Sequence, residues 1–261
     1  QTARGCPHGC RFCNLRSLYG RSYRPKKMQN IEKELRAVMQ LNPQATIYFT
    51  DDNLFCSSTH ADALMQLLQQ YSITWYANTD ISFGANPIQI RRAYQCGCRQ
   101  VLIGLESVNA QNLAGLDETS FKRRHFGRYR EWIENIQSQG IGVIGSFILG
   151  LDSDDADVFD KTAEFILETN LFGASITVNT PYPGTVQFHE LDAQNRICTY
   201  DWNCYTIFNP VIQPKKMSIE TLNAGYLKVL CTIHSTEAVK RKLEYFKGKI
   251  EKMGSRWTVS E

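Results

Sequence analysis

Short strand-like segments alternate with helix-patterned ones along most of the 261 residues, and this alternation limits the possible folds more than any other feature. Thr46–Thr50, Thr74–Ala77, Gln100–Gly104, Val143–Leu149 and Ser175–Asn179 read as short buried strands. They are apolar, rich in β-formers and bounded by polar or turn residues. A further strand is expected to end at Arg4. Helical spacing runs through Ile31–Leu41, Thr59–Gln70, Ile88–Cys96, Arg128–Gln139, Asp155–Thr169 and Ser218–His234. Thr59 and Asp62 give the second of these a capping pattern, Pro87 opens the third, and Gly140 stops the fourth. A β-α unit repeated about six times predicts an α/β fold with a parallel sheet and helical crossovers. From the pattern alone, an open six-unit barrel and a doubly wound sheet both remain open. Pro181 to Pro214 reads as a long loop over the strand ends, and Lys240–Lys252 as a partly exposed helix packing through Leu243, Tyr245, Phe246 and Ile250.

Composition narrows the class. Nine cysteines is an odd number, in a chain much longer than a disulfide-stapled secreted domain. A reducing, cytoplasmic setting with some cysteines ligating metal is therefore expected. No apolar run approaches a bilayer span, and a net charge of +3 gives no reason to expect a nucleic-acid partner.

The most informative residues are Arg4-Gly5-Cys6-Pro7-His8-Gly9-Cys10-Arg11-Phe12-Cys13. Cys6, Cys10 and Cys13 have the spacing CxxxCxxC, in a loop tightened by two glycines and a proline. Thiolates suit iron–sulfur chemistry and zinc. Three ligands leave one iron of a cubane open, which marks a reaction site. Residues 1–31 carry seven Lys/Arg and no acid, a setting that favours an anionic cluster. The competing reading is a zinc-stabilised α/β binding module with His8 as fourth ligand, but structural zinc sites usually use two separated ligand pairs. Cys56, Cys96, Cys98, Cys198, Cys204 and Cys231 form no second knot and read as small buried apolar residues. His60, His125, His189 and His234 are scattered, and Lys122-Arg123-Arg124-His125 reads as a solvated basic face that could also meet a carboxylate or phosphate.

The cysteine loop resembles the signature of the radical S-adenosylmethionine (SAM) superfamily, with Phe12 as the aromatic before the third cysteine. The resemblance implies a partial (β/α)6 TIM-like barrel over residues 1–185, with 186–261 as a loop and helical C-terminal extension. It implies a 4Fe-4S cluster on Cys6, Cys10 and Cys13, with SAM on the open iron. The reduced cluster would cleave SAM to a 5′-deoxyadenosyl radical that takes hydrogen from a substrate. Contacts to SAM are expected at the strand ends: Phe12, Thr50, Asp51, Asp52, Glu106, Ser107, Gly145, Ser146 and Asn179. The acid pair would hold an ammonium group, Glu106 and Ser107 would meet the ribose and carboxylate, and Gly145 would make room for adenine. No residue is singled out as catalytic.

Asp51-Asp52, Gly104-Leu105-Glu106-Ser107, Phe147-Ile148-Leu149-Gly150-Leu151 and Thr180-Pro181-Tyr182-Pro183-Gly184-Thr185 together resemble the subgroup that usually carries a cobalamin domain upstream. That subgroup includes methylases and ring-forming enzymes. The implied partners are a natural-product, lipid or tetrapyrrole-like substrate and an electron donor such as flavodoxin or ferredoxin. The chain lacks an initiator Met and has no Asp-x-His-x-x-Gly cobalamin motif. A longer parent with an upstream cobalamin-binding α/β domain is therefore expected. A methylthiotransferase-like enzyme is the alternative within the superfamily.

Overall fold

The computed structural model describes residues 1–253. The chain opens with strand β1 (Ala3–Arg4), the cysteine loop, helix α1 (Leu15–Tyr19) and strand β2 (Arg24–Pro25). Then follow α2 (Met28–Leu41), β3 (Ile47–Phe49), α3 (Ser58–Leu68), β4 (Trp75–Thr79), α4 (Pro87–Gln95) and β5 (Cys98–Glu106). Three helices, α5 (Ala110–Leu113), α6 (Phe121–His125) and α7 (Tyr129–Ser138), separate β5 from β6 (Gly142–Leu149). The chain continues through α8 (Asp157–Glu168), β7 (Gly173–Val178), α9 (Val186–Ala193), α10 (Ile219–Ile233) and α11 (Thr236–Met253). No helix among the described residues is long and apolar enough to cross a membrane.

Strands β3 to β7 form one parallel sheet in sequence order. One face is buried under the helices through Phe49, Trp75, Ala77, Val101, Ile103, Leu105, Val143, Phe147 and Leu149. On the other face the rungs Tyr48–Tyr76, Asn78–Leu102–Ile144 and Gly104–Ser146–Ser175 lie side by side, and most of these residues are only partly buried. A doubly wound sheet covers both faces with helices and reads as continuous apolar strands. Helices on one face and a polar, half-open inner face instead make a partial barrel around a channel. Gly97, at φ +96° between α4 and β5, allows the close turn. A Cβ there would lie 1.8 Å from the Ile73 carbonyl oxygen.

The structure departs from the sequence pattern in four places. The first strand does not join the parallel sheet. β1 pairs antiparallel with β2, and the backbone N–H groups of Thr2 and Ala3 donate to the Asp51 carboxylate instead of to a neighbouring strand. The sheet therefore has five parallel strands rather than six. The β5–β6 crossover contains two short helices before the expected one: Asn109 caps the start of α5 through Gln111 N, and Asp117 holds the start of α6. Its carboxylate accepts from Thr119 N, Phe121 N and Lys122 N. The expected loop at 181–214 contains α9, capped by Thr185. Finally, Cys96 and Cys98 are buried as expected, but Cys198 and Cys231 are exposed.

Helix α10 adds Leu222, Val229 and Ile233 to the main core, while Leu191, Val211 and Ile212 form a separate small cluster. Phe246 of α11 packs edge-on to Phe172. The expected contact of Ile250 falls on a side chain outside those described.

Candidate functional site

The cysteine loop is held from three sides. From β3, Asp52 accepts a 2.9 Å hydrogen bond from Gly5 N. Gly5 has φ +90°, and a Cβ there would lie 2.3 Å from the Ser22 carbonyl oxygen. From β4, Asp80 accepts from Asn53 Nδ2 at 2.7 Å and from Ser82 N at 2.8 Å, and lies 3.0 Å from His8 Nε2. Burial works against the Asp80 carboxylate, but these partners hold its pKa well below the ordinary range. After β5, Arg11 N donates to Leu116 O at 2.9 Å, and Cys10 bridges Asp117. These grips surround a cavity of about 160 Å³ lined by Cys6, Cys10, Cys13, His8, Phe12, Asp52, Asp80, Glu106 and Lys122.

All three cysteines are free and partly buried. Burial pushes their thiols up, Cys10 to about 12 even though the nearby Lys122 charge opposes it. Metal loading must therefore displace protons. Among the described residues, no three Cys, His, Asp or Glu side chains gather tightly around one point. His8, the fourth ligand in the zinc reading, is engaged by Asp80. Three soft donors spread around a cavity fit the corners of a polynuclear cluster.

Opposite the thiols lies a buried ion pair. Lys122 Nζ stands 3.0 Å from Glu106 Oε1 and donates to the Gly104 carbonyl oxygen at 2.6 Å, with both side chains only 9% exposed. Burial disfavours the ammonium, but Glu106, Cys10 and Tyr129 together outweigh it and the Lys122 pKa is raised. Glu106 sits at φ +66°, where the β5–β6 register shifts, and this turns its carboxylate toward the lysine. Gly104 leaves the room: a Cβ there would meet Glu106 Oε1 at 2.3 Å. An ammonium has three donors, and these two contacts leave one for a ligand.

Of the residues expected at the site, Cys6, Cys10, Cys13, Phe12, Asp52 and Glu106 meet around this cavity. The others lie elsewhere. Thr50 is exposed at the sheet edge. The Asp51 carboxylate is fully buried and committed to Thr2 and Ala3, so it is not available to an ammonium ligand. Ser107 is buried, and its hydroxyl accepts from Asn109 N in the turn after β5. Gly145 faces the helices, where a Cβ would meet Leu171 at 2.8 Å and Leu105 at 3.0 Å, so its role there is packing rather than an adenine seat. Ser146 shares the inner-face rung with Gly104 but lies outside the cavity lining. Asn179 lines a neighbouring cavity of about 370 Å³ with Arg11, Asn112, Asp152 and Gln187.

The sequence pattern placed the strand ends at Asp80 and Gly104 on the pole of this site without giving either residue a role, gave His8 a role only in the zinc reading, and missed Asp117. It read Lys122 mainly as solvated because three basic residues follow it directly. The one available signal was that Asp80 and Gly104 lie at the ends of strands, where barrel sites form.

The chain matches the family model described as the radical SAM superfamily over residues 1–166. It is 27% identical over 243 residues to bacteriochlorophyllide d C-12(1)-methyltransferase of Chlorobaculum tepidum, covering 92% of this chain and 52% of that protein. It is also 27% identical over 213 residues to hopanoid C-3 methylase of Methylococcus capsulatus, covering 80% and 39%. The chain thus spans about half the length, or less, of these curated relatives. Among solved structures it resembles the radical SAM methyltransferase TsrM from Kitasatospora setae, determined with cobalamin and a [4Fe-4S] cluster. The TM-score is 0.67 at 15% identity, over 74% of this chain and 36% of that one, a likeness of fold. With the family match extending over more than half its length, this chain belongs to the radical SAM superfamily and is an enzyme.

Proposed function

We propose that Cys6, Cys10 and Cys13 hold a 4Fe-4S cluster with one iron open to SAM, and that the whole protein methylates a large ring-bearing natural product. The carrying observation is the cavity that joins three free thiols to a buried Lys122–Glu106 pair. When bound and reduced, the cluster supplies the electron that cleaves the SAM sulfonium. The chain's own residues do the rest. The remaining Lys122 donor meets the methionine carboxylate, and Glu106 and Gly104 keep that ammonium aimed. Asp52 fixes the loop through Gly5, and Phe12 shields the thiols from water. The substrate class is supported by relatives named for a bacteriochlorophyllide and a hopanoid. Cobalamin, present in the TsrM structure, would serve the methyl transfer in the whole protein. In the same reading, residues 1–185 are the barrel core and 186–261 an extension that shares its domain through α10.

The test is anaerobic reconstitution followed by iron and sulfide analysis, with assay of SAM cleavage. About four iron and four sulfide per chain are expected, with release of 5′-deoxyadenosine, and both should be lost in Cys6→Ala. Full iron content and an unchanged spectrum in Cys6→Ala would overturn the cluster assignment.

A further inference from the structure

Helix α9 has open space on two sides. Gln187, Glu190 and Leu191 line the cavity of about 370 Å³ that Asn112, Asp152 and Asn179 line from the barrel. Val186, with Gly184 and Thr185 before it, lines a groove of about 490 Å³ shared with Cys10, Cys13 and Ser17. Among the described residues, α9 packs broadly against no other helix or strand. Its support is local. Leu191, Val211 and Ile212 form their own small core, Phe188 and Tyr205 pack on Trp202, and Cys198 N donates to Val211 O at 2.9 Å. Residues 186–212 thus form a unit apart from the main core.

Two sets of contacts join this unit to the rest of the chain. At the cysteine loop and α1 they are few: Gln187 N donates to Arg11 O at 3.1 Å, Ser17 Oγ donates to Gly184 O at 2.6 Å, and Glu190 pairs with Arg11. Both side chains of that ion pair are at least 40% exposed, and exposed pairs are worth little. At the sheet the hold is firmer. Val178 N, at the end of β7, donates to Ile207 O at 2.7 Å, and Asp152 holds Lys215 at 2.6 Å and Arg196 at 2.8 Å, the Arg196 side chain being only 12% exposed. Ile207 has φ +65°, where a β-branched residue is strained, and such strain gathers at clamps and switches. Gln187 Oε1 is buried with no hydrogen-bond partner among the described residues, on a side chain that lines the 370 Å³ cavity. A buried acceptor left unpaired is costly until a ligand meets it.

We propose that residues 186–212 are a lid. It swings about the Val178–Ile207 contact and the Asp152 pairs. It parts from the cysteine loop to admit the ring-bearing substrate, and it closes through Ser17, Arg11 and Glu190 to keep water from the thiols. The inference rests on the proposed cluster and substrate. Because α9 borders both the cavity and the groove, its displacement merges them into one site, in the range of about 300–1,000 Å³ that suits large ligands. An element tethered by a few exposed polar contacts opens at low free energy, and closure of such a lid shields a reactive centre from solvent.

The test compares the reconstituted parent chain with Ser17→Ala/Glu190→Gln, which removes two of the three contacts that clasp the unit shut. Amide hydrogen exchange is read by mass spectrometry resolved to single residues. The Gln187 amide, whose acceptor lies on the cysteine loop, should exchange roughly tenfold faster in the variant. The Arg196 and Cys198 amides, bonded to Leu191 and Val211 within the unit, should not change, and neither should those of β5 and β6. Iron loss to the chelator bathophenanthroline disulfonate should also be faster in the variant. Equal Gln187 exchange in the two proteins would overturn the lid. Faster exchange at Arg196 and Cys198 would overturn it too, since the unit would then melt rather than swing. Equal rates of iron loss would overturn its role as a cover for the thiols. A parent chain that takes up no iron counts instead against the proposed function, and exchange at Gln187 still decides the lid.

Discussion

Lys122 is buried against the Glu106 carboxylate in the cavity that the three cysteines line. Removing one partner of a buried pair leaves the other charge uncompensated, at a cost of about 3–5 kcal/mol. Lys122→Met should therefore destabilise the protein by roughly 3 kcal/mol in denaturant titrations. Adding Glu106→Gln should restore most of the loss while leaving SAM affinity weak. If the double variant were no more stable than Lys122→Met, the pair would not be the source of the loss. Asp51 and Asp52 illustrate the same scale. They are adjacent in sequence, yet one carboxylate is fixed to the N-terminal backbone and the other lines the cavity. Strand alternation predicts that adjacent residues diverge, but it does not predict which of the two faces the ligand.

At the scale of elements, the turns after the strands position the chemistry, and one of them is sensitive to pH. Asp154, between β6 and α8, accepts from Gly150 N and Leu151 N at 3.0 Å and from Asn112 Nδ2, linking this turn to α5. Burial nevertheless pushes its carboxyl up to about 6. The folded chain therefore holds this proton more tightly than the unfolded chain does. The stability this contributes is fully present below about pH 4 and is lost as pH rises through about 6. Asp154→Asn should flatten that part of the stability profile, read by urea unfolding at pH 5 and pH 7.5. An identical pH dependence in parent and variant would remove Asp154 as its source. Helices α5 and α6 were not legible in the sequence because they are four and five residues long, and caps such as Asp117 start them rather than an apolar period.

For the whole molecule, the main core runs continuously from α2 to α10, and a second small cluster stands apart beneath the segment after α9. Truncations should therefore report differently. Ile103→Ala, fully buried in β5, should lower global stability by about 2–5 kcal/mol. Ile212→Ala, equally buried but in the small cluster, should mainly speed hydrogen exchange around residues 191–212 and leave the sheet protected. Uniform loss of protection in both variants would show that the two clusters unfold as one.

The sequence by itself determined what is local. Three cysteines within eight residues mark a thiol-rich loop suited to metal whatever surrounds them, and apolar period marks the longer strands and helices and their order. Only the tertiary structure decided what depends on register and on distant partners. Gly104 faces the cavity and Gly145 the helices because Gly104 pairs with Ser146, a phase that alternation leaves undetermined. The first strand leaves the sheet because a side chain almost fifty residues away takes its amide protons. Lys122, at the head of a basic run, became a buried cation because the end of β5 delivers Glu106 and the Gly104 carbonyl to it. A buried charge is tolerated only where such partners converge, and convergence is a property of the fold rather than of any segment.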